Sequence, residues 1–181
     1  MFKIVTVPST VLTQPTLPIE KIDDKIKKIV VDMEKVLIAQ NDPPGVGLAA
    51  NQVGLNLSIF IIKPTEKSKI KVFVNPKILK TVFNKDSLYQ KKSKKRKVKL
   101  EGCLSIPRIW GPVKRSERVF LNFQDLNGKK YLKWFTGFEA IIIQHEVDHL
   151  NGIVFTQRSL EQNGQLYREE GDELVKISLI G

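Results

Sequence analysis

The chain has 181 residues and a mass of 20.6 kDa, which corresponds to about one domain and is long enough to bury a hydrophobic core. Hydrophobic residues make up 41% and charged residues 27%, a composition that excludes a disordered chain, and the apolar runs are too short for a membrane span. The formal net charge of +11 favours encounters with polyanions without indicating a particular partner.

Cysteine content and the first residues indicate the cellular compartment. Cys103 is the one cysteine of the chain, which excludes an intrachain disulfide. The N-terminal residues lack the basic, apolar and small-residue order of a secretory signal. We therefore expect a soluble cytoplasmic protein with a single domain over residues 1–181, and we expect it to act as a monomer.

The first part of the chain predicts an irregular arm followed by a long helix. Residues 8–18 are rich in proline and threonine. Apolar residues then recur at steps of three and four, which predicts an amphipathic helix over roughly residues 19–40. Two prolines and a glycine at residues 43–45 end this helix. The glycine-rich segment 45–52 follows, and its composition by itself favours a tight turn into a strand.

The middle of the chain predicts strands. Mostly apolar segments occupy residues 57–62, 72–74 and 78–83. Further on, Asn127-Gly128 suits a tight hairpin turn between strands at residues 119–123 and 131–135.

A second helix follows the predicted hairpin. Residues 138–150 have helical spacing, and Asn151-Gly152 supplies a C-terminal cap. Several strands with one helix before them and one after predict an α+β fold rather than alternating βαβ units.

The second helix carries the two histidines of the chain, His145 and His149, four positions apart. Residues with this spacing lie on one face of a helix, so both imidazoles can reach one metal ion. Glu146, next to the first histidine, can accept a proton from water on that ion. This pattern predicts a catalytic metal site.

Such a site needs a third protein ligand, because catalytic metal sites usually have three and leave one position open for water. Cys103 is one candidate, since a thiolate is a strong ligand. A glutamate or aspartate, as in many zinc peptidases, is the other. Spacing alone leaves both open.

Three segments together resemble the signature motifs of the peptide deformylase family. They are Glu101-Gly102-Cys103-Leu104-Ser105, the segment at residues 45–52, and the helix segment at residues 144–149, in the family's order and approximate spacing. The resemblance extends to about residue 155. It implies an α+β fold with antiparallel sheets packed around a central helix that carries the His-Glu-x-x-His motif. It also implies removal of the N-formyl group from the N-terminal methionine of nascent chains, a step of protein biosynthesis that releases formate.

The resemblance also implies roles for single residues. Cys103, His145 and His149 correspond to the metal ligands, and Glu146 to the catalytic glutamate. The other implied roles are stabilisation of the oxyanion and binding of the substrate. The Gln52 side chain and the Leu104 backbone N–H would stabilise the oxyanion, and the substrate-binding residues would be Gly45, Val46, Gly47, Gly102, Ile141 and Ile142.

Four further side chains near these motifs have expected roles. We expect Glu101 to pair with a basic residue such as Arg115, and Asp148 to be structural. Trp110 stands where many relatives place an arginine near the substrate backbone, with Arg108 two residues earlier. This departure concerns contacts to the peptide, not the chemistry.

The metal expected from the resemblance is Fe(II), whose thiolate-ligated form is sensitive to oxygen. Raw affinity favours zinc over ferrous iron. Zn(II), Ni(II) or Co(II) are therefore possible occupants after purification.

A basic run at residues 91–99 contains seven lysines and arginines. Like charges in sequence usually form a solvated loop or hairpin tip. A sharper hypothesis is that residues 91–97 contact ribosomal RNA, because phosphate contacts give salt-dependent affinity. The substrate partner implied by the resemblance is an N-formylmethionyl peptide, and no membrane partner is expected.

Two other functional classes are consistent with parts of the sequence. A zinc peptidase that cuts internal peptide bonds would need a third ligand downstream, for which Glu161, Glu169 and Glu170 are available. A basic nucleic-acid-binding module would use the metal structurally, but a structural zinc site normally takes four protein ligands.

Overall fold

A computed structural model describes residues 2–83 and 99–178 and has the predicted α+β architecture. Within these residues, the main sheet has the strand order β1-β2-β3-β6-β7, all antiparallel. The second sheet has the order β4-β5-β8-β9 and is also antiparallel. The strands are β1 (Gly47–Ala49), β2 (Ile59–Ile62), β3 (Lys71–Val82), β4 (Leu100–Cys103), β5 (Ile106–Pro112), β6 (Arg118–Gln124), β7 (Lys130–Thr136), β8 (Tyr167–Glu170) and β9 (Glu173–Lys176).

The main sheet is buried between two helices, α1 (Asp24–Ile38) and α2 (Gly137–Leu150). Side chains of β2 alternate between them, since Ile59 and Ile61 pack in the α1 core while Phe60 and Ile62 pack in the α2 core. A strand buried on both faces appears in the sequence as a continuous apolar run, and such a run predicted a strand at residues 57–62. The structure confirms this strand as β2.

Helix α1 is shorter than the predicted residues 19–40. Its N-cap is Asp23, whose side chain accepts a hydrogen bond from the backbone N–H of Ile26. Ile19 lies before the helix, where the Asn75 side chain bonds both its N–H and its C=O. The apolar periodicity therefore continues beyond the helical hydrogen bonds, and the boundary is wrong by about one turn.

Strand β3 joins the two separately predicted strands at residues 72–74 and 78–83. The pairing of β3 with β6 shifts register between Val74 and Lys77, and Asn75 has a φ of 49°. This β-bulge accommodates Pro76, which cannot donate a ladder hydrogen bond, without ending the strand. The predicted β6–β7 hairpin is confirmed, and Gly128 in its turn has a φ of 78°.

Helix α2 lies where the histidine motif was predicted and ends at Asn151, followed by Gly152 with a φ of 72°. Gln144 anchors it, because its side-chain amide exchanges hydrogen bonds of 2.9 Å with the backbone N–H and C=O of Ser116. Nine of its residues are buried, from Ala140 to Leu150, including polar ones. A helix this deeply buried places the ionisable side chains of Glu146, Asp148 and His149 in the interior.

The last described part of the chain is a short helix, α3 (Phe155–Glu161), followed by the β8–β9 hairpin. Strand β8 pairs with β5 through Ile109 opposite Arg168 and Trp110 opposite Tyr167. The C-terminal hairpin therefore extends the second sheet. The basic run at residues 91–97 lies outside the described residues. Among those described, no helix combines the length and apolar character needed to cross a membrane.

Candidate metal centre and its cavity

Helix α2 brings the two histidines together on one face. The ring centroids of His145 and His149 lie 4.9 Å apart, with their planes at 77°. One turn of helix separates them, as the spacing of four predicts. The side-chain amide of Asn51 donates a hydrogen bond to the backbone C=O of His149 and ties this turn to the glycine-rich segment.

Strand β4 ends at Cys103, beside the histidines. The Cys103 Sγ atom lies 3.1 Å from Nε2 of His149. One ligand atom from each of Cys103, His145 and His149 lies within 4.8 Å of the others. The thiol and the two imidazoles therefore form one cluster, although the cysteine lies on a strand of the second sheet, 46 positions away from His149 on the helix.

The electrostatics of the cluster favour a thiolate. Burial alone would raise the pKa of the Cys103 thiol, but the charges and hydrogen bonds of His149 and His145 outweigh burial and hold this pKa well below its ordinary value. Burial would lower the pKa of His145, but its bonds to Cys103 and Glu101 raise it well above its ordinary value. A thiolate is the form of cysteine that binds metals.

Glu101, two residues before the cysteine, orients His145. Its Oε2 atom lies 3.2 Å from Nδ1 of His145 and accepts the hydrogen bond of that ring nitrogen. This contact leaves Nε2 of His145 for an ion, as is usual for metal-binding histidines. Burial would raise the pKa of Glu101, but hydrogen bonds from His145 and Arg115 lower it to about 2.

Arg115 holds Glu101 in place. Two hydrogen bonds of 2.9 and 3.0 Å join the guanidinium to both carboxylate oxygens of Glu101. Arg115 also pairs with Asp148, which in turn pairs with Arg158. The predicted Glu101–Arg115 pair and the structural role of Asp148 are both confirmed.

Replacing Glu101 by glutamine should weaken metal binding by roughly 10–100-fold, the usual effect of removing a partner of a ligating histidine. Glutamine keeps the size but loses the charge that fixes Nδ1–H of His145. Competition titration of Zn(II) into metal-free protein measures the change. Glu117→Gln, an exposed substitution of the same kind outside the cluster, should bind like the wild type. Equal affinities of both variants would contradict the orienting role.

Glu146 lies next to the cluster on the same helix and is 3% exposed. Burial raises its pKa to about 7. Among the described residues, no hydrogen-bond partner is found for its Oε2 atom. A Cβ atom on Gly47 would collide with the carboxylate of Glu146, so glycine is needed there to admit that carboxylate. The arrangement suits a group that exchanges a proton.

Gln52 reaches the cluster from the 3₁₀ turn at Ala50–Val53. Its Oε1 atom accepts a hydrogen bond of 2.9 Å from the backbone N–H of Ala49, which directs the amide nitrogen away from the strand. Nε2 then lies 3.4 Å from Cys103 Sγ and 3.3 Å from Ser105 Oγ. The two donors of this amide therefore point towards the ligand side of the cavity.

A cavity of about 230 Å³ opens on the cluster. Every substrate-binding residue named from the sequence lines it: Gly45, Val46, Gly47, Gly102, Ile141 and Ile142. Cys103, Leu104 and Glu146 line it as well. Sequence reasoning missed Phe138, which is 52% exposed and also lines this cavity. Its position at the start of α2, one turn before Ile141 and Ile142, was the available signal.

The alternative third ligands lie elsewhere. Glu161 pairs with Arg158, Glu170 lies within 3.8 Å of Arg168, and Glu169 accepts a hydrogen bond from Trp110. None of the three belongs to the cluster that the described residues form. The zinc-peptidase ligand set is therefore wrong, and Cys103 takes that place.

The three clustered side chains fit a divalent transition-metal ion. A thiolate and two imidazoles are nitrogen and sulfur donors of the kind that zinc and ferrous iron accept. Because three donors leave a coordination position open, the set is that of a catalytic rather than a structural site. The cavity beside the cluster agrees with this assignment.

Comparison with known proteins gives a consistent family. The family model described as polypeptide deformylase matches residues 1–164. The peptide deformylase of Borreliella burgdorferi is 42% identical over 149 residues, covering 82% of this chain and 81% of the relative.

Solved structures agree with the sequence relatives. The peptide deformylase of Thermotoga maritima superposes with a TM-score of 0.73 at 30% identity, covering 87% of this chain and 97% of that one. A peptide deformylase of Synechococcus elongatus in complex with actinonin gives a TM-score of 0.75 at 33% identity, covering 90% and 82%.

Proposed function

The chain belongs to the polypeptide deformylase family, and we propose that Glu146, Gln52 and Leu104 carry out the catalytic steps at its Cys-His-His metal site. As a member of that family it is a metal-dependent hydrolase that removes the formyl group from an N-terminal methionine. The observation that carries the proposal is the convergence of Cys103, His145 and His149 beside the buried Glu146, at the end of a lined cavity.

In this proposal, Glu146 transfers the proton. A divalent ion held by Cys103, His145 and His149 would act as a Lewis acid and would lower the pKa of a water molecule towards about 7. The Glu146 carboxylate accepts the proton that this water loses as it attacks the formyl carbon. It then donates that proton to the departing amine of methionine. Support comes from its burial, from an Oε2 atom for which residues 2–83 and 99–178 provide no hydrogen-bond partner, and from its position one residue after a ligand.

Negative charge develops on the formyl oxygen during the attack. The Gln52 amide and the backbone N–H of Leu104 donate hydrogen bonds to that oxygen in our proposal. One such donor is typically worth about 10²–10³ in rate. Support comes from the Ala49–Gln52 hydrogen bond, which fixes the amide before substrate binds, so little reorganisation is needed.

The methionine side chain occupies the apolar cavity in this proposal. Val46, Ile141 and Ile142 form its walls together with Phe138. Gly45 and Gly47 let the substrate backbone approach. A Cβ atom on Gly45 would lie 2.7 Å from Leu37 Cδ1, so this segment already packs as closely as glycine allows. Gly102 on β4 is packed equally closely, because a Cβ atom there would lie 2.8 Å from the Trp110 ring.

We propose Fe(II) as the native ion, with Zn(II), Ni(II) or Co(II) able to take its place. The ligand set accepts all four. Elemental analysis of protein purified without oxygen tests this: iron near one equivalent supports the proposal. Zinc near one equivalent, with iron absent, would overturn it.

The reaction is tested with three substrates: formyl-Met-Ala-Ser, the unformylated peptide and a folded protein. We expect formate from the first and no cleavage of the others. Cleavage of internal bonds without formate would indicate a peptidase. Absence of turnover, with RNA binding and metal-dependent folding, would indicate a nucleic-acid-binding module.

We also propose a cytoplasmic monomer of one domain that contacts ribosomal RNA through residues 91–97. The support is the net charge of +11 and its concentration in this run. Replacing the lysines of the run by glutamine should reduce ribosome co-sedimentation several-fold at low salt. Turnover of formyl-Met-Ala-Ser serves as the control. Unchanged co-sedimentation would rule the contact out, and light scattering measures the oligomeric state.

A further inference from the structure

The C-terminal hairpin lies beyond the region that the family model matches, yet it lines a cavity that Cys103 also lines. The match ends at residue 164, whereas the hairpin begins with β8 at Tyr167. Through Glu169 the hairpin lines a second cavity of about 340 Å³. This part of the chain therefore contributes to a cavity next to Cys103 without being part of the family pattern.

Trp110 connects the hairpin to the metal-binding strand. Its indole N–H donates a hydrogen bond of 2.7 Å to Oε2 of Glu169. On its other side the ring packs against Gly102, so closely that a Cβ atom there would lie 2.8 Å from the indole. Because Trp110 pairs with Tyr167, Glu169 is its diagonal neighbour on β8, within reach of a long side chain. Glu169 thus holds the indole over the residue that precedes the ligand Cys103.

The indole stands between the two cavities. Both cavities are lined by Trp110, Gly102, Cys103 and Leu104, and also by Pro43. With the formyl group at the metal cluster and the methionine side chain in the first cavity, the rest of the peptide must leave the site on another side. The second cavity adjoins the cluster through Cys103 and Leu104 and offers that space. A peptide that extends through the second cavity passes Trp110 and Glu169.

The charges around the second cavity are unequal. Its acidic side chains are Asp42 and Glu169, and its basic one is Arg108. Asp42 and Arg108 are exposed, so water and salt screen them, whereas Glu169 is half-buried. The described residues provide Glu169 with no ion-pair partner within 4.0 Å. Because the indole N–H of Trp110 is neutral, its hydrogen bond does not neutralise the negative charge of the Glu169 carboxylate.

We propose that Glu169 is a specificity-determining residue: it positions Trp110 as the wall between the cavities and favours a basic side chain in the two residues after methionine. This inference rests on the proposed function. The residue acts on binding of the peptide, not on the chemical step.

The charge is tested with formyl-Met-Lys-Lys-Ser and formyl-Met-Glu-Glu-Ser. For the wild type we expect kcat/KM to be about fivefold or more higher for the lysine peptide, the effect of a unit charge a few ångströms away. Glu169→Gln keeps an oxygen that accepts from Trp110 but removes the charge, so the ratio should fall to within about twofold of one. Added salt should lower the wild-type ratio and leave that of the variant unchanged, a response that a purely structural role would not produce.

The positioning of Trp110 is tested with formyl-Met-Ala-Ala-Ser. Glu169→Ala removes the acceptor and should raise KM several-fold with a smaller change in kcat, and Glu169→Gln should recover most of that loss. Glu170→Gln is the matched control, because this exposed neighbour lines neither cavity and should keep the wild-type ratio. A wild type without lysine preference, or a Glu169→Gln variant that retains the full ratio, overturns the proposal. Absence of formate from every peptide would instead overturn the proposed function as well.

Discussion

Replacing Cys103 by alanine should remove the metal and reduce deformylation by several orders of magnitude. Two imidazoles on one helix turn remain, but the strong thiolate donor that lies 3.1 Å from His149 is lost. Without the ion, the pKa of the attacking water returns to the much higher value of bulk water, so little hydroxide forms near neutral pH. Elemental analysis of the purified variant and formate release from formyl-Met-Ala-Ser measure the two effects.

A size-matched variant separates loss of the ligand from loss of the fold. Cys103→Ser keeps the shape of the side chain but offers a hydroxyl, which is a weak metal ligand. We expect it to retain the circular dichroism spectrum of the metal-free wild type and to bind metal far more weakly. Stoichiometric metal in the alanine variant would contradict the proposed ligand set.

Replacing Glu146 by glutamine should reduce kcat/KM by about 10²–10⁴, the usual contribution of general acid–base catalysis. The amide has the same size and fits beside Gly47, so the cavity keeps its shape, but it cannot accept the proton of the attacking water. Because Glu146 is absent from the ligand cluster, metal content should stay at one equivalent. Formate release and elemental analysis on the same sample test both expectations.

The matched control for this variant is Glu139→Gln. Glu139 lies on the same helix, two turns before Glu146, and pairs with Lys71 at the surface. The Glu139→Gln substitution should change neither the cavity nor the metal site, and the turnover of this variant should match that of the wild type. If Glu146→Gln kept activity within about tenfold of this control, another group would have to accept the proton.

Structural features were predictable from the sequence where all the residues that define them lie in one helix or one turn. The spacing of His145 and His149 defines one helix face, and the observed ring separation of 4.9 Å follows from it. The Asn127-Gly128 turn predicts its own hairpin for the same reason. The start of α1 was not predictable in this way, because Ile19 continues the apolar period while its backbone bonds Asn75 instead of a helix.

Contacts between elements that are distant in the sequence were harder to predict. The resemblance placed Cys103 with the histidines, whereas spacing left a carboxylate ligand open. The Glu101–His145 hydrogen bond was not predicted, although Glu101 was paired with Arg115. The contribution of Phe138 to the cavity was also missed. Each of these depends on how β4 and α2 lie against one another, and no local period records that relation.

The amino-acid sequence by itself determined helices α1 and α2, the strands β2, β3, β6 and β7 of the main sheet, and the family, because hydrophobic periodicity and motif order are properties of short segments. It predicted none of the strands of the second sheet. It also determined the donor types, a thiol and two imidazoles, on which the metal chemistry depends. Only the tertiary structure decided that the indole of Trp110 separates two cavities and that Glu169 holds it. The physical reason is the pairing of β5 with β8, which joins residues 59 positions apart through a register that local propensities do not specify.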